Sequence, residues 1–148
     1  MDQAAKFGSL FFIGMTVGRF LSGFIMNKLG DRKMIVLGTF VASFGVISLL
    51  IPTGNSIFSL VGFIIIGLGF APIYPCIIHS TPGNFGEENS GAIIGIQMAS
   101  AYVGTTFMPP LFGLLGTFIS FAILPIFLIF FITFMISMTE LTFRVTTK

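Results

Sequence analysis

The sequence predicts an all-α integral membrane protein with five transmembrane helices, and three observations carry that prediction. No Asp, Glu, Lys or Arg occurs from Met34 to Gly86, or again from Asn89 to Thr139, whereas about 18 apolar residues already suffice to cross a bilayer. Hydrophobic residues make up 55% of the chain and charged residues 8%, against roughly 25% in soluble domains, with 20 Phe and a mean hydropathy of +1.06. Finally, backbone groups in hydrocarbon must pair within their own segment or in a closed barrel, and the ten-residue alternating strands of a barrel are missing. Helices remain.

Breakers and charges divide the single domain, residues 1–148, into its elements. The first span, 7–26, follows a start (Met1 to Lys6) that lacks the cationic character of a secretory signal, so it is expected to stay in the membrane. It contains the GxxxG pair Gly14 and Gly18, spaced for close helix approach. Asn27 to Lys33 form a turn: Gly30 suits a left-handed helix end, Lys28 suits a helix C-terminus, and Asp31 is placed to cap the next helix. The second span, 34–51, ends at the turn Pro52-Thr53-Gly54-Asn55. The third, 56–79, is thinned by Gly67 and Gly69 and then broken at Ala71-Pro72-Ile73-Tyr74-Pro75. Ser80 to Ser90 read as the longest loop, with Glu87 and Glu88 ahead of Asn89-Ser90 favouring a helix start. The fourth span, 91–115, begins with a second GxxxG pair, Gly91 and Gly95, and carries Pro109-Pro110; the fifth runs over 118–138. Short connections make successive helices antiparallel neighbours.

Orientation follows from the cations, which stay on the cytoplasmic side. Lys28, Arg32, Lys33, Arg144 and Lys148 fall on one side of a five-span chain and Lys6 on the other. The N-terminus is therefore expected outside and the C-terminus in the cytoplasm, in a multi-pass protein of the plasma membrane. Carriers are commonly built from repeats with an even helix count, so an odd five reads as a bundle incomplete at its amino end.

The nominal charge of +2 and pI near 9.0 do not point to nucleic acid, because the seven cations are scattered rather than gathered into a stripe. One cysteine, Cys76, excludes an internal disulfide and reads as a packing residue; with a single histidine and no acid within a span, neither a metal nor a cofactor is expected. No nucleophile and base, paired carboxylates or phosphate loop argues for an enzyme.

Polar residues inside the spans are the candidate site. Arg19 is the only charge within a span, roughly 10 Å from its expected cytoplasmic end by helical rise, a depth costing on the order of 2–3 kcal/mol unpaired. Gly8, Phe12, Met15, Thr16, Ser22, Gly23 and Met26 share its face, while Leu10, Ile13, Val17, Leu21 and Phe24 lie opposite, towards lipid. Arg19 therefore points into protein or a wet cavity, either tying helix ends together or meeting an anionic or polyhydroxylated solute. On the fourth span Gln97, Ser100, Ala101 and Gly104 form a polar face flanked by Met98, Tyr102 and Thr105, which suits a sugar or equally a hydrogen-bonded neighbouring helix. Pro72, Pro75, Pro109 and Pro110 free backbone carbonyls and are candidate hinges or packed kinks. His79, near its loop, reads as an interfacial hydrogen-bonding group or a proton relay.

Gly23-Phe24-Ile25-Met26-Asn27-Lys28-Leu29-Gly30-Asp31-Arg32-Lys33 resembles the G-x-x-x-D-R/K-x-G-R/K-R/K loop between the eighth and ninth helices of the major facilitator superfamily, with Asn27 at a usually acidic position and Asp31 at a usually basic one. Gly18-Arg19 is similar to that family's eighth helix, Gly67 to Pro75 to the kinked tenth helix of sugar permeases, and 91–116 to an eleventh. The Gly-Arg-Phe and Tyr-Pro segments resemble the fucose:proton symporter-like branch. The resemblance implies helices eight to twelve of a twelve-helix carrier, an incomplete C-terminal six-helix bundle whose partners are membrane lipid, a small-molecule substrate and the first seven helices. It further implies alternating access, with Gly23, Asn27, Lys28, Gly30, Asp31 and Arg32 as a gating loop and Arg19, Tyr74, Gln97 and Tyr102 along the substrate path. The function expected is ion-coupled secondary transport of a small polar solute such as a sugar. The rival readings are a non-transporting membrane remnant or interaction partner, and a small homo-oligomeric channel or exporter.

Overall fold

A computed structural model describes residues 2–50, 56–119 and 123–146. Six helices are present: α1 (Asp2–Leu29), α2 (Asp31–Leu50), α3 (Ser56–Phe70), α4 (Ile73–Phe85), α5 (Glu87–Phe118) and α6 (Leu124–Thr146), with no strand among the described residues. The expected turn at 52–55 lies outside them. α3 and α4 are two halves of one rod broken at Ala71-Pro72, so the all-α fold has five rods. Four are long and apolar enough to cross a membrane: Gly8–Leu29, Asp31–Leu50, Ile57–Phe85 and Leu124–Thr146. α5, at 32 residues, has the length, but Gln97, Ser100, Tyr102, Thr105 and Thr106 dilute its apolar character.

Large side chains point outward. Phe12, Phe20, Phe24, Phe40, Phe44, Phe107 and Phe130 are exposed, an arrangement that would be an aggregation liability in water and is the ordinary outer surface of a bundle in lipid. Small residues point inward. α3 lies between α1 and α2 and meets both through glycine: Gly14 faces the backbone of Ile64, Gly67 the backbone of Phe11 and Met15, and Gly18 faces Leu68 and Ala71. On the other side a Cβ added at Gly45 would lie 2.8 Å from Ile66 N, and one at Gly62 would lie 3.1 Å from Gly45 O. Without a hydrophobic force between helices in lipid, such close backbone contact supplies the attraction. The GxxxG of α1 is thus a contact surface. That of α5 is not, among the described residues: nothing there lies within 4 Å of a Cβ at Gly91 or Gly95.

Two buried clusters join the remaining helices. Ala42, Val46, Ile66 and Ile132 hold α2, α3 and α6 together, while Met34, Ile35, Ile73 and Cys76 join α2 to α4, with Met135 and Phe143 of α6 packed against them. α5 is peripheral: Gly116 is its only buried residue among those described. It reaches α4 through Gln97 and α6 through the rings of Phe112 and Phe127, 5.2 Å apart.

The turns show where local chemistry acts. Gly30 takes φ 76° and its N–H bonds Met26 O at 3.0 Å, the left-handed helix end expected of it. The expected loop of residues 80–90 is mostly helix. α4 continues past His79 to Phe85, because the Ser80 and Thr81 hydroxyls bond back to Ile77 O at 3.0 and 2.9 Å and do not compete for the loop's backbone. The reversal falls on Gly86 alone, at φ 84° and ψ 151°, with its N–H on Pro82 O at 2.9 Å.

Candidate functional site

The charged end of the bundle, where Gly30 and Gly86 lie, is built from the first turn of α2. Asp31 does not cap its helix by a side-chain bond. Its Oδ2 lies 2.9 Å from His79 Nδ1 on α4, while Oδ1 is buried without a partner among the described residues. Arg32 reaches the other way: its Nη2 donates to both carboxylate oxygens of Glu140 on α6 at 2.9 Å, and its guanidinium lies 5.5 Å from the centre of the Phe143 ring. Arg144, one turn along α6, donates Nε–H to Glu140 at 3.3 Å. Two consecutive residues therefore tie α2 to two other helices, α4 and α6. Asp31 apart, these groups are half exposed or more, so the ties register position more than they add stability. Gly23, Asn27 and Lys28 of the same stretch are exposed.

For the gating loop that the resemblance implies, Arg32→Glu and Glu140→Arg are each expected to slow transport, and the double exchange to restore part of the rate, since Arg144 then faces a like charge. Uptake assays on the three variants check this. A double variant no better than either single one contradicts a pairwise role. His79→Ala leaves Asp31 with neither oxygen paired and is expected to alter rate with little effect on solute affinity, by the same assay.

Arg19 sits on the exposed side of α1 beside the glycine stripe that packs on α3. Its guanidinium makes no ion pair among the described residues, where the three pairs are Arg32–Glu140, His79–Asp31 and Arg144–Glu140. Phe12 and Gly23, expected on the same face, are also uncovered. Met15, Ser22 and Met26 of that face are half-buried, Met26 against the α2–α4 cluster, but at Arg19 itself no described helix closes over α1, so the guanidinium does not point into the described interior.

Gln97 is half buried and meets Thr81 of α4, Oγ1 to Oε1, at 3.2 Å. The Thr81 hydroxyl has one proton, and the Ile77 carbonyl at 2.9 Å is the better-placed acceptor. An amide turned to present its N–H to the same hydroxyl oxygen satisfies both groups. Gln97 and Thr81 line a cavity of about 590 Å³ bounded by α2, α4, α5 and α6. Arg19, Tyr74 and Tyr102 are not in its wall. Tyr74 is 40% and Tyr102 74% exposed, so the four path residues do not converge on one pocket within this chain.

The prolines differ in kind. Pro72 cannot donate to Leu68 O, and α3 ends at Phe70 before α4 begins at Ile73. The freed carbonyl is not turned to a void: a Cβ at Gly18 would lie 2.8 Å from it, while Pro72 Cγ lies 3.0 Å from the Cβ position of Gly38. The kink is seated between two glycines. Pro75 falls in the first turn of α4, and α5 stays helical through Pro109 and Pro110. Glu140, Phe143 and Thr81 take part in these contacts and were not among the residues singled out from sequence. The spacing of Glu140 and Arg144 at i, i+4, just beyond an uncharged run, was the available signal.

A five-rod helical bundle, glycine-packed inside and phenylalanine-covered outside, is a multi-pass membrane architecture. The family model of the Major Facilitator Superfamily matches residues 3–148, and the chain belongs to that family. It is 26% identical over 82% of its length to an uncharacterized MFS-type transporter of Yersinia pestis, and 26% identical over 78% of its length to sugar phosphate exchanger 3 of Xenopus laevis. The chain spans 31% and 22% of the lengths of these two relatives. No solved structure matches.

Proposed function

We propose that the chain forms helices eight to twelve of a major facilitator carrier that moves a small anionic, sugar-like solute by alternating access, driven by an ion or solute gradient. Arg19 carries this reading. It is a guanidinium within a span, unpaired among the described residues, at an exposed point of α1 that no described helix covers. A carrier's other half would enclose that face, and a solute with phosphate or carboxylate oxygens would supply the missing acceptor in bidentate geometry. The name of the Xenopus laevis relative, a sugar phosphate exchanger, supports a phosphorylated sugar as the first solute to test. Tyr74 and Tyr102 contribute ring faces to the path, and Gln97 stiffens the α4–α5 contact beside it.

The Asp31–His79 and Arg32–Glu140 ties act as the gate on the charged side, which the cation distribution assigns to the cytoplasm, with the N-terminus outside and the plasma membrane as the site of action. They hold α2, α4 and α6 in register when the gate is shut. Where the gradient is of protons, coupling needs a protonatable group within the membrane, which residues outside this chain would supply. The test is uptake by the protein, with all the helices its gene encodes, in proteoliposomes: a sugar phosphate should compete with the transported solute and its neutral parent sugar should not. Equal competition by both removes the anionic solute from the proposal.

A further inference from the structure

The 590 Å³ cavity carries a second reading, independent of the solute path. Its polar groups are Ser80, Thr81 and Asn84 on the last turns of α4, Gln97 on α5, and Thr139 and Thr142 near the charged end of α6. Its depth is apolar throughout: Phe70, Leu128, Phe131 and Ile132 close the end nearer mid-membrane. Most of those polar groups are already engaged. The Ser80 and Thr81 hydroxyls bond Ile77 O, the Thr142 hydroxyl bonds Met138 O at 2.9 Å, and Gln97 meets Thr81. A polar solute would find few free donors along these walls.

From Leu128 to Thr142 the cavity runs about 21 Å along α6 by helical rise, against about 15 Å for one leaflet's half of the hydrocarbon core. It is thus long, narrow and amphipathic along the membrane normal, with its polar end at the charged surface. Much smaller apolar cavities stay dry and take up hydrocarbon.

We infer that this cavity is a lipid site, occupied by one acyl chain of a phospholipid from the leaflet on the charged side, with the headgroup linkage near Asn84 and the chain end between Leu128 and Phe131. A lipid held there wedges α5 against α4 and α6, which explains how a helix with so little buried surface keeps its place.

The experiment uses the protein, with every segment its gene encodes, in phosphatidylethanolamine–phosphatidylglycerol vesicles doped with a phospholipid bearing a diazirine near the end of one acyl chain. Labelling is mapped by mass spectrometry on two faces of α6 at equal depth: Leu128 and Phe131, which line the cavity, and Ile129 and Phe130, which face outward. Labelling of the lining pair at least equal to that of the outward pair is expected. Thr139→Phe, which puts a ring across the cavity's polar end, should cut labelling of the lining pair about tenfold, the equivalent of about 1.4 kcal/mol in occupancy, and leave the outward pair unchanged. Ser80→Phe fills it from the opposite wall and stands in if Thr139→Phe does not elute as a folded species. Labelling confined to the outward pair overturns the inference and gives the space to another helix of the carrier. Labelling of the lining pair that survives both fillings overturns it as well.

Discussion

On the proposed solute path, replacing Arg19 by Ala should lower solute affinity by about tenfold to a hundredfold, because a hydrogen bond to a charged group contributes roughly 1.5–3 kcal/mol and every 1.4 kcal/mol is about a factor of ten. Arg19→Lys keeps the charge but loses the planar fork, so it recovers part of the affinity and less of the discrimination between phosphorylated and neutral sugar. The alternative is structural: Arg19 anchors α1 by snorkelling to headgroups and never meets solute. The two separate cleanly. In the structural case Arg19→Lys is equivalent to wild type, because lysine snorkels as well, and the loss in Arg19→Ala appears as less protein in the membrane at unchanged affinity. Uptake kinetics normalised to surface protein measure both. Wild-type affinity and rate in Arg19→Ala would remove this residue from the path, and the same result in Gln97→Ala would leave the proposed lining without support.

Sequence was informative wherever one residue's own conformational or steric character decides the outcome. Gly30 had to end α1 because only glycine takes a positive φ there without cost, and Pro72 had to break the third rod because it has no N–H. Gly14, Gly18, Gly67 and Gly69 were legible as contact points, but the same spacing at Gly91 and Gly95 faces open space. A small-residue pair states that a helix can be approached, not that one of this chain's own helices approaches it. Lengths failed where side chains changed the competition. Ser80, Thr81 and Asn84 read as loop, yet hydroxyls bonded to the preceding turn let α4 continue to Phe85. Partner choice was the least legible. Asp31 was placed as a helix cap from its position beside Gly30; the kink at Pro72 brings His79 within 2.9 Å of it, and no local pattern contains that angle. A single acid after an apolar run carries no sign of its partner, and Glu140 meets Arg32 only because α6 lies against α2.

Gly69→Leu should abolish the folded bundle, the largest stability effect expected in the chain. A Cβ at Gly69 meets Ala42 N, and it would lie 2.6 Å from Gly38 O and 2.8 Å from Ala42 Cα. All three are backbone atoms of α2, so no rotamer change relieves the clash and the helices must separate. Overpacking a core that can adjust costs about 1–3 kcal/mol; here the only adjustment is loss of the α2–α3 contact and, with it, of the Ala42–Val46–Ile66–Ile132 cluster beside it. Gly69→Ala already places the offending carbon and should lower the thermal midpoint, read by loss of monodisperse protein on heating in detergent. Gly95→Leu is the control, since nothing among the described residues lies within 4 Å of that position. The same reasoning reaches function through α3. Its other face seats Gly18, next to Arg19, so Gly18→Leu should push α1 off the Leu68 carbonyl and displace the guanidinium without altering its charge. Transport then falls while Arg19 itself is intact. An unchanged thermal midpoint in Gly69→Leu would show that α2 and α3 do not meet through these glycines, and unchanged transport in Gly18→Leu would remove the position assigned to Arg19.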